Sequence, residues 1–452
     1  MSRIFFDTLG CFKNAEDSER AAGLLAASGH EIVFDADKAD IILVNTCGFI
    51  EEAKRESIER ILEFAPCRES GKKLIVSGCL AQRYADELSE ELPEADAIMG
   101  VNDYARLPEI VKALAQEDAR PDLPDQNGGG ARNRVFASGE EGLLLGPRFA
   151  PAPRATTFLK IAEGCDNRCA YCAIPLIRGR YRSVPSEELA RETERLAKEG
   201  AKEIILIAQD VSAYGLDLCG KYALPSLLTR LCETEGVEWI RLMYCYEERI
   251  TDELIDVMAR EDKICSYIDI PLQHCVDSVL SRMNRRSTRA GIERTLATLR
   301  ERIPGIAIRT TLMTGFPGES DDDFREMEEF IEKNRFERMG VFAYSSEEGT
   351  PAAEMDDQIP REIAQERRER LMLRQLDISL ENNRRLVGKT LRVLTEDSEG
   401  DGVFAGRATF DAPEIDNAVI FTGDEGIRAG DFVNVKITDA MDYDIIGTVV
   451  DR

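Results

Sequence analysis

The chain has little of what a membrane-spanning, exported or nucleic-acid-binding protein needs. No stretch approaches the run of roughly 20 apolar residues required by a membrane helix. Ile41-Ile42-Leu43-Val44 is typical of its apolar runs. The opening Met1-Ser2-Arg3-Ile4-Phe5-Phe6-Asp7 lacks the basic-then-apolar shape of a signal peptide. Bases are scarce, with 58 Lys and Arg against 85 Asp and Glu and a formal charge of −27. A general nucleic-acid binder normally carries a basic face, so this balance argues against one, though a local basic groove stays possible. Histidine is almost missing: His30 and His274 are the only two. These absences predict a cytoplasmic protein.

What is present points to several domains and to cysteine chemistry. A chain of 452 residues exceeds one ordinary core and predicts two to four domains. Its 43% hydrophobic and 32% charged residues describe a globular chain. Twelve cysteines in a reducing compartment are expected to be free, and where clustered to hold metal or do redox work.

Residues 1–120 alternate strand and helix patterns. Strands are predicted at 3–8, 40–46, 73–77 and 95–99, and helices at 14–28, 49–65 and 82–88. That alternation predicts a parallel α/β sheet. Cys11, Cys47 and Cys79 each follow one of the first three strands. The carboxyl ends of such strands share one edge, where ligands bind, so these distant thiols are expected to meet. Residues 121–154 read as a linker: 11 of the 33 positions from 121 to 153 are Gly or Pro, against 50 of 452 overall.

Residues 155–384 form a second α/β region. Strands are predicted at 157–162, 203–208, 239–244, 267–270, 306–311 and 340–344, with helices at 186–199, 251–260 and 321–334. Ser186 is the expected cap of the first helix, and 360–385 reads as a long surface helix with a solvated face. Six βα units predict a partial barrel whose site lies at the carboxyl ends of its strands. Residues 385–452 switch to the strand period at 391–395, 407–410, 419–422 and 432–438, which predicts a small all-β barrel. That barrel holds 14 acids and 7 bases, a net charge of −7.

The strongest motif is Gly164-Cys165-Asp166-Asn167-Arg168-Cys169-Ala170-Tyr171-Cys172, a C-x3-C-x2-C loop after the first strand of the predicted barrel. Three thiolates on one loop suit three corners of a [4Fe–4S] cube and leave the fourth iron open, where four cysteines are ordinary. Zinc also takes thiolates, but a structural zinc wants four ligands. Each N-terminal cysteine alone would more often be a buried small hydrophobe. Three at corresponding strand ends point instead to a second open cluster.

The loop's spacing and position resemble the radical S-adenosylmethionine (SAM) superfamily. That resemblance implies that SAM chelates the open iron through its amino and carboxylate groups. One electron then yields methionine and a 5′-deoxyadenosyl radical, which abstracts hydrogen from an unactivated carbon. Cys165, Cys169 and Cys172 would be the metal-binding and catalytic set. Tyr171 would pack near the adenine or merely cover the cluster.

The whole arrangement is similar to the methylthiotransferase family: an N-terminal three-cysteine domain, a radical SAM partial (βα)6 barrel and a terminal barrel of the TRAM type. The family pattern implies two [4Fe–4S] clusters, the second on Cys11, Cys47 and Cys79. It also implies SAM used twice, once to methylate a sulfur on the N-terminal cluster and once to make the radical. An external electron donor and an unspecified sulfur donor complete the expectation. Members divide into tRNA-modifying enzymes and the RimO type, which modifies an aspartate of small ribosomal subunit protein twelve. Three stretches resemble the RimO type: the run from Asn45-Thr46-Cys47-Gly48-Phe49-Ile50 to Ile58, Cys11-Phe12-Lys13-Asn14 with Asp17-Ser18-Glu19, and Phe342-Ala343-Tyr344 to Thr350. Pro271-Leu272-Gln273-His274 is another match, and Thr314-Gly315-Phe316-Pro317-Gly318-Glu319 is shared by all groups. An acidic terminal barrel suits a basic protein partner better than tRNA.

Phe12 stands where the RimO type usually has proline, and Val184 where an arginine is common, with Arg180 and Arg182 as possible substitutes. Gln209 and Asp210 end the second barrel strand facing the expected SAM pocket; for Asp210 helix capping is the alternative. Arg309 is expected either to meet the SAM carboxylate or to form a structural ion pair. His274 beside Cys275 is not expected to act as a base–nucleophile pair, for want of an orienting group. Cys67, Cys219, Cys232, Cys245, Cys265 and Cys275 read as packed thiols.

Overall fold

The computed structural model describes residues 1–115, 134–137, 142–150 and 152–451. Of the Gly/Pro-rich segment, positions 121–133, 138–141 and 151 lie outside the described residues. Among the described residues, no helix is long and apolar enough to cross a membrane.

The N-terminal domain runs β1 (Arg3–Thr8), α1 (Phe12–Ala27), β2 (Glu31–Val33), β3 (Ile41–Thr46), α2 (Glu51–Phe64), β4 (Lys73–Gly78), α3 (Cys79–Arg83), α4 (Ala85–Glu91), β5 (Ala97–Gly100), α5 (Leu107–Ala115) and β6 (Arg134–Phe136). Its strands lie in the order β2-β1-β3-β4-β5-β6, all parallel. Every residue of β3 is buried, as befits an inner strand covered on both faces. Strand order reverses between β1 and β3, and a doubly wound sheet binds ligands at such a switch point. The three-residue β2 is not among the predicted strands, and the helix predicted at 82–88 is broken at Tyr84 (φ −127°, ψ 39°), which separates α3 from α4.

The central domain comprises β7 (Thr156–Lys160), β8 (Ala162–Glu163), α6 (Ile174–Arg178), β9 (Arg182–Ser183), α7 (Ser186–Lys198), β10 (Glu203–Ile207), α8 (Leu216–Cys219), α9 (Leu224–Cys232), β11 (Trp239–Leu242), α10 (Asp252–Arg260), β12 (Ile264–Gln273), α11 (Asp277–Arg282), α12 (Arg289–Arg302), β13 (Ala307–Thr314), α13 (Asp321–Asn334), β14 (Arg338–Ala343) and α14 (Arg361–Arg384). Six parallel strands in the order β7-β10-β11-β12-β13-β14 make the expected partial barrel. Along β10, Ile204 and Leu206 pack toward the helices, whereas Ile205 and Ile207 pack on the other face with Leu394 and Ala412 of the terminal domain. Burying a side chain of that size stabilises by about 1.5–3 kcal/mol.

Two helix expectations need correction. Pro185, not Ser186, holds the N-cap position of α7, and no side chain caps it. Helix α14 is not merely solvated: Ala364, Arg367, Leu371, Gln375, Ile378, Ser379 and Asn383 are buried along it. The burial is hard to read because the buried stripe is mostly polar. Arg367 donates to Glu319 Oε1 at 2.5 Å, and Gln375 Nε2 to Phe336 O at 3.0 Å.

The terminal domain is a closed five-strand barrel of β15 (Thr390–Gly400), β16 (Val403–Arg407), β17 (Val419–Thr422), β18 (Phe432–Ala440) and β19 (Ile445–Asp451). The strand predicted at 407–410 lies instead at Val403–Arg407, and the arginine at its end turns inward. It meets Glu203 Oε2 at 2.6 Å, and Arg241 meets Glu203 Oε1 at 2.8 Å. This buried Arg–Glu–Arg set, with Arg338–Asp411 at 2.6 Å, seats the barrel on the six-stranded sheet.

Candidate functional site

The three N-terminal cysteines come together at the switch point. Cys11 caps α1 beyond β1, Cys47 follows β3, and Cys79 opens α3 directly after β4. Asn14 ties their loops together: Nδ2 donates to Leu9 O (2.9 Å) and Thr46 O (3.1 Å), while Oδ1 faces Cys79 Sγ at 3.6 Å. Gly10 is required here, since its φ of +89° favours glycine and a Cβ would lie 2.8 Å from Cys47 Cβ. Gly48 likewise allows the Cys47 loop against Leu80, whose Cα would be 2.7 Å from an added Cβ.

A cation from the central domain completes this group. Arg178, at the end of α6, donates from Nη2 to Cys79 Sγ at 3.4 Å and to Asn14 Oδ1 at 2.8 Å. Loss of hydration opposes the Cys11 thiolate, yet Lys13 and Arg178 outweigh it and its pKa falls below the ordinary value. Burial raises Cys47 and pushes Cys79 up to about 12. Each of the latter two also feels Cys11.

The C-x3-C-x2-C loop lies where the reading placed it, beyond β7 and β8. Gly164 has φ +75°, and a Cβ there would stand 2.0 Å from Arg180 O. Cys165 N–H donates to Gly179 O (3.1 Å), Cys172 N–H to Cys169 O (3.1 Å) and Ala170 N–H to Met283 O (2.9 Å). Cys165 and Cys169 are buried and Cys172 is half-buried. Burial raises the pKa of Cys165 and of Cys172, and Cys169 adds to both shifts. Tyr246 OH stands 3.4 Å from Cys169 Sγ. Asn167 stitches the loop to the next strands, donating to Asp210 Oδ2 (2.8 Å) and accepting from Arg249 (2.7 Å). A cavity of about 470 Å³ opens beside it, lined by Asp166, Asn167, Arg180, Asp210, Asp217 and Arg249 among others.

Buried charge joins the two cysteine groups. Glu163, next to the loop, accepts from Arg178 (3.0 Å), Lys160 (2.8 Å) and Gln209 (3.0 Å). Arg178 also pairs with Asp17 at 2.9 Å, and Lys160 with Glu16 at 3.3 Å and with Asp17. Burial opposes the Glu163 carboxylate, but Arg178 and Lys160 hold its pKa well below the usual range. Arg178 stands in sequence beside Arg180 and Arg182, and nothing in that spacing indicates that it crosses to Cys79.

The other expected residues divide. Tyr171 accepts from Arg285 (3.3 Å) and meets Phe316 edge-on, with ring centroids 6.4 Å apart. Gln209 keeps a buried amide oxygen with no partner. Asp210 caps a short 3-10 turn through Ala213 N–H and pairs with Arg249. Arg309 forms the ion pair, held by Asp269 (3.0 Å) and Asp416 (3.3 Å). His274 is buried, accepts from Val276 N–H (3.1 Å) and lies 3.5 Å from Glu319, while Cys275 turns toward Glu326 O (3.9 Å). Cys245, Cys265 and Cys275 are packed thiols, but Cys219 is exposed, a departure from the expectation. Phe12 earns its place by stacking on Phe158 at 4.1 Å, and Val184 lies in the central core.

Each group presents three free cysteine thiols, the donor type that holds an iron–sulfur cube. Among the described residues, no three His, Cys, Asp or Glu side chains could hold one metal ion. A cube engages each thiolate through a different iron, so its ligands stand farther apart. A fold of this kind, with its cysteine loop at the carboxyl end of the first barrel strand, defines a radical SAM protein, and the radical SAM superfamily model matches residues 159–331. Residues 3–100 match uncharacterized protein family UPF0004, and residues 387–450 match the TRAM domain. The chain is 47% identical over 447 residues to ribosomal protein uS12 methylthiotransferase RimO of Desulfitobacterium hafniense (strain Y51), spanning 98% of this chain and 97% of that protein. It is 44% identical to the protein of the same name in Clostridioides difficile (strain 630), over 100% of this chain and 99% of that one. The chain therefore belongs to the uS12 methylthiotransferase RimO family, a family of radical SAM transferases. Among solved structures, the radical SAM methyltransferase TsrM from Kitasatospora setae matches with a TM-score of 0.56 at 15% identity, over 88% of this chain and 79% of that one. The cobalamin-dependent radical enzyme OxsB matches at 0.54 and 14%, over 84% of this chain and 56% of its own. At such identities these two speak for the fold alone.

Proposed function

We propose that this protein inserts a methylthio group at the β-carbon of an aspartate of ribosomal protein uS12. The observation that carries the reading is Arg178, which leaves the helix after the radical SAM loop and reaches the thiol of Cys79. Two three-thiol sites on separate domains thereby share one wall, as a reaction needs when one site activates a carbon and the other supplies its sulfur.

Cys165, Cys169 and Cys172 would hold one [4Fe–4S] cluster, and Cys11, Cys47 and Cys79 the other. When bound, the first cluster with SAM supplies the radical chemistry. The protein's own residues then bind, orient and exclude water. Gln209 offers its unpartnered amide oxygen to the ammonium of SAM, and Tyr171, braced by Phe316 and Arg285, flanks the adenine. Arg309, occupied by two carboxylates, is left out of this set. Lys160, Glu163, Asp17 and Arg178 fix the spacing between the two groups.

The partner reading rests on the relatives' substrate and on charge. The terminal barrel's net charge of −7 complements a basic ribosomal protein and would repel tRNA phosphates. We place the work in the cytoplasm, where ribosomes are, with an external electron donor and a separate sulfur donor. Domains 1–120, 155–384 and 385–452 would deliver sulfur, make the radical and bind the substrate. The test is a reconstituted reaction with SAM, a reductant and purified uS12. Mass spectrometry is expected to find one methylthio group on an aspartate; modification of tRNA instead would contradict the reading.

A further inference from the structure

Lys13 stands in an uncommon position for a lysine. It is only 8% exposed, and its ammonium lies 3.7 Å from the centroid of the Tyr244 ring. Among the described residues, no carboxylate pairs with it; beside the ring, the group its charge acts on is the Cys11 thiol. A buried ammonium without a counter-charge is costly, and the face of one aromatic ring offsets part of that cost. The fold thus sets this cation against a ring and the Cys11 thiol and gives it no carboxylate.

The surroundings say where an anion would come from. Lys13 lies two residues beyond Cys11, at the start of α1. Tyr244 follows β11 from the central domain and has φ +57°, a left-handed conformation rare for an aromatic residue. Its N–H donates to Asp269 Oδ2 at 3.0 Å, which helps hold that turn. Two residues on, Tyr246 OH is 3.4 Å from Cys169 Sγ. The ammonium therefore lies beside Cys11 and on a strand-end segment that, two residues further on, reaches the radical SAM loop.

Resting on the uS12 reading, we propose that Lys13 receives the carboxylate of the substrate aspartate and so sets the preference for an acidic side chain. The reacting β-carbon has to be reached from both cysteine groups, and the carboxylate is bonded directly to it. A cation beside one group, on a segment that reaches the other, is where that carboxylate belongs. Its attraction fixes the β-carbon without touching the bonds that change. Lys13 is a binding and specificity residue in this account.

The experiment compares the cluster-loaded full-length protein with Lys13→Met and Lys13→Arg. Each is titrated anaerobically with purified uS12 and with uS12 whose target aspartate is replaced by asparagine. The unaltered protein is expected to bind the aspartate form about 10-fold or more tightly, the range of one charged hydrogen bond. Lys13→Met should erase that ratio and Lys13→Arg should keep most of it. If Lys13→Met loads its N-terminal cluster poorly by electron paramagnetic resonance (EPR), Lys13→Gln repeats the comparison with a polar tip. Equal binding of both uS12 forms by the unaltered protein, or a ratio that survives Lys13→Met, overturns the assignment. Methylthiolated uS12 with no aspartate preference would sink the Lys13 assignment alone. Absence of both binding and modification would instead bring down the uS12 reading, and this inference with it.

Discussion

Arg178 Nη2 donates to Cys79 Sγ at 3.4 Å, joining a helix of the radical SAM domain to a thiol of the N-terminal domain. The same guanidinium meets Asp17 and Glu163 at 2.9 and 3.0 Å. Arg178→Lys keeps the charge but loses the planar fork. The N-terminal cluster is therefore expected to load less fully and to become harder to reduce by tens of millivolts, as read by an EPR redox titration. Arg178→Met leaves Asp17 and Glu163 buried without that cation, a loss of about 3–5 kcal/mol, measured from the denaturation midpoint. An unchanged potential in Arg178→Lys would remove Arg178 from the cluster's environment.

The two cysteine groups should be separable. Cys169→Ala is expected to lose about half the iron and all SAM cleavage while keeping the N-terminal EPR signal. Cys79→Ala should keep SAM cleavage and lose methylthio transfer. Iron analysis and 5′-deoxyadenosine assays check both. SAM cleavage by Cys169→Ala would contradict the assignment of the radical site.

Glu347 clasps the N-terminal domain from the far end of the barrel. It meets Arg83 at 2.7 Å and Lys54 at 3.0 Å, and Arg83 also donates to Gly48 O, one residue past Cys47, at 3.2 Å. Removing one partner of a buried pair costs about 3–5 kcal/mol. Glu347→Gln should accordingly speed limited proteolysis within residues 1–115 more than within the central domain. Equal rates across both domains would show that Glu347 is not a clamp.

The seat of the terminal barrel should be acid-labile. Burial opposes the Glu203 carboxylate, but Arg241 and Arg407 hold its pKa at about 2. A carboxylate with a lowered folded pKa stabilises fully above its unfolded value, here 4.5, and that contribution fades as pH falls through 2. The stake is about 3.5 kcal/mol at roughly 1.4 kcal/mol per pKa unit. Denaturation followed from pH 5 to pH 2 should show this slope in the unaltered protein. Glu203→Gln should be less stable at neutral pH, with two arginines left unpaired, and flatter across that window.

Much of this arrangement could be read from residues that work locally. Alternating apolar strands, the C-x3-C-x2-C loop and three cysteines at strand ends depend on short spacings, and the fold keeps them. Strand β17 matches its expected bounds of 419–422, and helix α13 those of 321–334. What escaped reading depends on long-range pairing of polar side chains. Arg178 meets a thiol 99 residues away, and Arg407 a carboxylate 204 residues away. The buried stripe of α14 is polar, so its sequence imitates a solvated face. Lys13 looked like one residue of a motif until the fold laid it on Tyr244.

The measurement that tests the central claim most directly is the intact mass of uS12, taken with the tRNA nucleoside profile, from cells with and without this gene. The account predicts that uS12 loses one methylthio group when the gene is removed and that tRNA stays unchanged. Loss of a methylthio-adenosine from tRNA, with uS12 unaltered, would contradict the substrate drawn from relatives and charge.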